Sequence, residues 1–165
     1  FISSIIISLI FTITINADLN FVVDDANLLS SQEETKLRID LENFKNEYNM
    51  DAVIVTSNNL NGKSQQDYAD DYFDYNGYGV GKEKSGLLLL IDMENRNIWI
   101  STSGEAIKYF TNNRIDNIVE DITSYLKNGD YFGGCNVFIN DINTNPLIYC
   151  FPLILISYSF GTDCK

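Results

Sequence analysis

Carboxylates are the one abundant chemical resource of this chain. Asp and Glu number 23 against 11 Lys and Arg, which gives a formal net charge of −12, and histidine is absent from all 165 residues. Without histidine there is no usual general base near neutral pH. Ser-His-Asp and Cys-His nucleophile systems and histidine-ligated zinc are excluded with it. The three cysteines, Cys135, Cys150 and Cys164, contain no C-x-x-C pair, so thioredoxin-like chemistry and Cys₄ zinc fall away too. Any metal held here is held by oxygen, as a hard ion such as Ca²⁺ or Mg²⁺.

Carboxylates that gather without an arginine repel one another, and a divalent cation relieves them. The strongest group is Asp24 and Asp25 after a short β-prone stretch, Glu105 in Ser103-Gly104-Glu105, and the amides Asn112 and Asn113 at a helix start. If the pieces carrying them meet at one rim of a sheet, beside Asp51 and the loop from Gly77 to Gly86, their oxygens can share one ion. Taken singly, each acid is better read as a helix cap or a solvated side chain than as a ligand. Asp70, Asp71 and Asp74 are expected on the outward face of a helix. No Asp-x-Asp-x-Asp-Gly calcium loop is present.

Two other chemistries are excluded by position. The glycine loop (GYGVGKEKSG) precedes a strand, whereas a dinucleotide fingerprint follows a strand and opens a helix. As a P-loop it fails because Glu83 follows Gly81-Lys82 and Asn76 stands where the first glycine belongs. No nucleotide is therefore expected. So acidic a surface also repels phosphate backbones, which argues against a nucleic-acid partner.

The elements that must position these groups are legible from periodicity. Asn20 to Val23 is a short strand, and Ser30 with Glu33 makes a capping box ahead of a helix striped by Leu37, Leu41, Phe44 and Tyr48. Asp51 to Thr56 (DAVIVT) reads as a strand covered on both faces. Ser64 with Asp67 opens a second helix. Leu87 to Ile91 and Ile98 to Ser101 form a hairpin about the turn at Asp92 to Arg96. A short helix follows from Glu105 to Phe110. Thr111 heads another with apolar positions Ile115, Ile118, Val119, Ile122 and Leu126, and Asp130 to Ile142 forms the last. The order β-α-β-α-β-β-α-α-α implies a parallel pair with a right-handed crossover. The fold class is α/β: a three-layer α/β/α sandwich on a mixed, mostly parallel sheet of about four strands, Rossmann-like but not dinucleotide-binding.

The ends differ from this middle. Residues 1–17 begin with an uncharged apolar run of the length of a signal-peptide core, although its Ile and Thr content also suits a buried strand. Residues 144–165 carry a second uncharged stretch, Pro146 to Gly161, interrupted by Pro152. It suits a truncated membrane anchor or an apolar tail packed on the domain. Residues 18–143 form the domain between them.

The middle of the chain resembles the TPM domain family. Val22 to Ser30 matches the family's V-x-D-x-A-x-x-L-S opening. Ala52 to Thr56, Asp67-Tyr68-Ala69 with Phe73, Gly77 to Ile91, Ser103-Gly104-Glu105 and Gly129-Asp130-Tyr131 follow in order. The resemblance implies a compact α/β sandwich outside the cytoplasm, often tethered to a membrane. Family members include a thylakoid-lumen protein with acid phosphatase activity linked to photosystem II repair and an auxiliary subunit of nematode acetylcholine receptors, and binding of calcium or other divalent ions is associated with several relatives. Two departures stand out: Asn112 and Asn113 where relatives commonly carry Asp, and Thr102 in place of a glycine. An amide keeps a carbonyl ligand but loses its charge, which weakens cation binding.

The expectation is thus a secreted or membrane-tethered accessory domain binding a divalent cation, calcium before magnesium, and a membrane protein or complex. The competing reading is a metal-assisted acid phosphatase in which Asp24 is the catalytic residue, positioning water or acting as nucleophile. Without histidine that chemistry needs the ion.

Overall fold

The computed structural model describes residues 19–144. Nine elements follow in the expected order: β1 (Val22–Asp24), α1 (Ser31–Tyr48), β2 (Asp51–Ser57), α2 (Gln65–Tyr75), β3 (Gly86–Asp92), β4 (Asn97–Ser103), α3 (Ala106–Tyr109), α4 (Asn112–Leu126) and α5 (Tyr131–Asn143). The sheet order is β1-β2-β3-β4. β1, β2 and β3 are parallel, and β4 runs antiparallel to β3.

Composition sets these places. Every residue of β2 and β3 is buried, as continuous apolar strands must be when both faces are covered. β4 instead alternates, with Ile98 and Ile100 buried while Asn97 and Trp99 are exposed, and among the described residues it forms one edge of the sheet. Register assigns the faces. Leu88 lies level with Val53 and Ser101, and Leu90 with Val55 and Trp99. This face belongs to α2, for Asp70 of α2 accepts a hydrogen bond from Ser101 Oγ. Phe73 presses so close that a Cβ on Gly86 would stand 2.7 Å from its ring.

Ile54, Leu89 and Ile100 point the other way. α1, α4 and α5 cover that side. Lys36 of α1 donates to Asn136 of α5 at 2.9 Å, and Ile91 and Ile98 share a cavity with Leu126 and Tyr131. The three layers are therefore α2, the sheet, and the α1-α4-α5 layer.

One detail departs from expectation. β1 to β2 and β2 to β3 step across the sheet in the same direction, yet their connecting helices lie on opposite faces. The two crossovers therefore have opposite hands, so the right-handed rule holds for only one of them. The strand order never reverses, so the described sheet has no switch-point crevice of the doubly wound kind.

Helix starts are set locally. Ser30 and Glu33 form the reciprocal capping box, and Ser64 Oγ accepts from Asp67 N. Thr111 precedes α4 in extended conformation but makes no side-chain cap bond. Among the described residues no helix is long and apolar enough to cross a membrane. Residues 1–17 and 145–165, where a leader and an anchor are expected, lie outside the described residues.

Candidate functional site

At the rim where the parallel strands end, Asp24 closes a local clamp. Its Oδ2 accepts from Leu29 N at 2.8 Å and its Oδ1 from Thr56 Oγ1 at 2.5 Å, while Thr56 Oγ1 accepts from Ala26 N at 3.1 Å. Both carboxylate oxygens are thus engaged in holding the β1–α1 turn to the end of β2. Asp25 beside it is exposed. Farther along this rim the fully buried Asp92 accepts from Gln65 Nε2 at 2.8 Å and from Asn95 N at 3.1 Å. Burial alone pushes its carboxyl up, but the bonds from Gln65, Asn95 and the Glu94 backbone outweigh it and hold the pKa below the ordinary value.

The opposite rim holds Asp51, Glu105, Asn112 and Asn113. Asp51 is buried, accepts from Gly79 N at 2.7 Å and faces Lys45 Nζ at 3.0 Å. The glycine loop is therefore pinned at this rim, as expected. Glu105 pairs with Lys108 at 2.8 Å, and its backbone N–H donates to Ser85 Oγ. Asn112 and Asn113 are exposed at the start of α4.

The expected convergence of Asp24, Asp25, Glu105, Asn112 and Asn113 is not what the structure shows. Asp24 is level with Thr56 near the end of β2, whereas Glu105 follows Ser103, which pairs with Gly86 at the start of β3. Five rungs along the strand and three strands across put them about 20 Å apart. A single calcium needs its oxygens within about 2.3–2.6 Å. The reason is strand polarity: a loop leaving a parallel strand sits at the exit rim, while β4 carries the chain back to the entry rim. Among the described residues no three His, Cys, Asp or Glu side chains are grouped to hold a metal ion.

A different surface was not foreseen. Along the outer edge of β4, between α2 and α4, runs a groove of about 610 Å³. Gln66 and Asp70 form one wall, Ile115 and Asp116 the other, and Trp99 and Ser101 the floor. Trp99 is 38% exposed and is the sole tryptophan of the chain. Asp70, expected to be solvated, is half-buried and bonded to Ser101. The alternating NIWISTS pattern was the available signal, since a hairpin partner with exposed alternate residues ends a sheet.

Residues 22–145 match the profile of the TPM domain. The chain belongs to the TPM domain family. It is 35% identical over 118 residues to the UPF0603 protein YdjH of Bacillus subtilis (strain 168), covering 72% of this chain and 44% of that one. It therefore spans less than half the length of that relative. Among solved structures it is similar to the N-terminal domain of a protein from P. gingivalis, with a TM-score of 0.67 at 21% identity over 75% of this chain and 80% of that one. The N-terminal domain of cg2496 from Corynebacterium glutamicum gives 0.61 at 16%, covering 88% and 89%. These two show the α/β fold.

The motifs that mark the TPM domain have structural duties here. In its opening motif, Asp24 and Ala26 form the clamp with Thr56, Leu29 donates its N–H to Asp24, and Ser30 caps α1. Gly104 of the S-G-E motif has φ of +60°, and a Cβ there would stand 2.3 Å from Glu83 O. Asp130 of the G-D-Y motif caps α5 through Gly133 N at 2.8 Å.

Proposed function

We propose that this TPM domain is an extracytoplasmic, membrane-associated accessory module that acts by holding a protein partner in the groove along β4. The observation that carries this reading is the contrast between Asp24 and the groove. The motif carboxylate has both oxygens bonded inside the fold, whereas the groove presents a half-exposed tryptophan beside carboxylates. Indole surface rimmed by polar groups is typical of protein-binding sites. The uncharged apolar stretches at both ends of the sequence support the membrane location.

Calcium enters this proposal as a peripheral ligand. Asp25 is exposed at the exit rim and Asn112 and Asn113 are exposed side by side at the start of α4, so an ion taken at either place keeps most of its water and binds in the millimolar range. The acid phosphatase reading is the weaker one, because Asp24 as nucleophile would have to abandon both bonds that hold its turn. A photo-crosslinking residue at position 99, compared with one at the exposed Glu42 of α1, tests the proposal in native membranes. Discrete crosslinked species from position 99 alone are expected. No crosslink at position 99, together with metal-dependent p-nitrophenyl phosphate turnover abolished by Asp24→Ala, would replace it with the phosphatase.

A further inference from the structure

We infer that the partner is held by β-strand addition: an extended segment carrying basic residues on both of its faces pairs with the outer edge of β4. This rests on the partner-holding reading above and names its mode and chemistry. Ile98 N–H donates to the Asn97 side chain at 2.9 Å rather than to β3. In an antiparallel pair, residues that exchange both backbone bonds alternate with residues that exchange none. Ile100 and Thr102 share the phase of Ile98, so their N–H and C=O groups point outward, away from β3.

Natural edges of this kind are blunted by lysine, proline or a bulge. From Ile98 to Thr102 there is no lysine and no proline, and the register with β3 is unbroken. Such an open edge is the template that strand-adding partners use.

Charge selects the occupant. The groove lining includes Asp70 and Asp116 and contains no lysine or arginine. Neither acid has an ion pair among the described residues. Asp70 stands on the α2 side of the sheet and Asp116 on the α4 side. Successive residues of a strand point to opposite faces, so a fitting segment places two cations an odd number of residues apart. Its apolar residues then rest on Trp99 and Ile115. A second copy of this chain would bring a net charge of −12 and the same two carboxylates against themselves. The stretch from Pro146 to Gly161 offers no cation at all.

The test uses the full chain in non-ionic detergent and the peptide Val-Lys-Val-Val-Lys-Val, with Val-Glu-Val-Val-Glu-Val as its charge-reversed control. At millimolar lysine peptide, amide exchange at Ile100 and Thr102 is expected to slow at least fivefold, with no effect from the glutamate peptide. Asp70→Asn with Asp116→Asn weakens the lysine peptide at least threefold, within the range for two exposed ion pairs. Thr102→Pro removes an outward N–H, a position where an edge strand tolerates proline, and abolishes the slowing. If that variant fails to fold, the double Asn variant still decides. Overturning results are no slowing, equal slowing by both peptides, slowing at β1 instead, or slowing without peptide that depends on protein concentration, which marks self-pairing. Crosslinks from position 99 without peptide-induced slowing would end strand addition alone, and absent crosslinks would end both readings.

Discussion

Replacing Asp24 with alanine separates a structural duty from a chemical one. The side chain accepts two hydrogen bonds, from Leu29 N and Thr56 Oγ1, and bonds to a charged acceptor contribute about 1.5–3 kcal/mol each. Thr56 is 1% exposed, so its hydroxyl proton has no water to turn to after the truncation. Leu29 is only half-buried, and its N–H recovers part of its loss from solvent. Together these give a destabilisation of about 2–4 kcal/mol. Asp24→Asn keeps one acceptor oxygen and should cost less than half as much. Asp25→Ala, which removes an exposed carboxylate, should stay within about 0.5 kcal/mol. Urea denaturation of the three variants at pH 7 measures all three values. An Asp24→Ala protein as stable as the parent would refute the clamp and return Asp24 to the list of free carboxylates.

The buried Asp92 and the half-buried Asp141 are expected to respond to pH in opposite senses. Asp92 has its pKa lowered, so its contribution is present above the unfolded carboxyl value and is lost as pH falls through its folded value. Asp92→Asn should therefore lower stability at pH 6 and flatten the loss seen on acidification below about pH 4. Asp141 has its carboxyl pushed up, first by burial and then by Asp121, against the pull of Arg114. Its charge therefore destabilises the fold above its folded pKa, and protonation relieves this as pH falls. Asp141→Asn should raise the melting temperature at pH 7 and lose that gain at pH 3. Melting curves at the two pH values check both signs. Gly104→Ala meets Glu83 O at 2.3 Å in a left-handed backbone, and should cost about 2–3 kcal/mol by urea titration. A neutral result there would mean that the S-G-E glycine serves something other than the turn.

Nearly all elements were legible because their signals are local. The capping residues Ser30 and Ser64 set two helix starts within the first turn. The runs DAVIVTS and GLLLLID are apolar on both faces, which only a covered strand permits. The candidate site was not legible, because it depends on which rim each loop occupies. The hairpin places Glu105, with Asn112 and Asn113, at the entry rim beside Asp51 as expected. Asp24 and Asp25, however, leave a parallel strand and so belong to the exit rim, a consequence of strand direction that residue type and spacing alone do not carry. The opposite hand of one crossover was not legible for a related reason. Nothing in the residues of α1 or α2 alone states which face of the sheet each will cover, and the general rule is a preference about connections rather than about sequences. The groove depends on α2 and α4 flanking the same edge from opposite faces, a relation between segments more than 35 residues apart.

Trp99 allows the most direct measurement, because it is the chain's sole tryptophan and lies on the floor of the groove. Its emission and its quenching by acrylamide can be followed in the full chain as lysine peptide, calcium or the non-absorbing phosphate ester phosphoserine is added. Occupation of the β4 edge by the peptide should shift the emission to shorter wavelength and reduce quenching, with calcium and the phosphate ester leaving both unchanged. Emission and quenching indifferent to the peptide but responsive to calcium or the ester would contradict the groove as the functional surface.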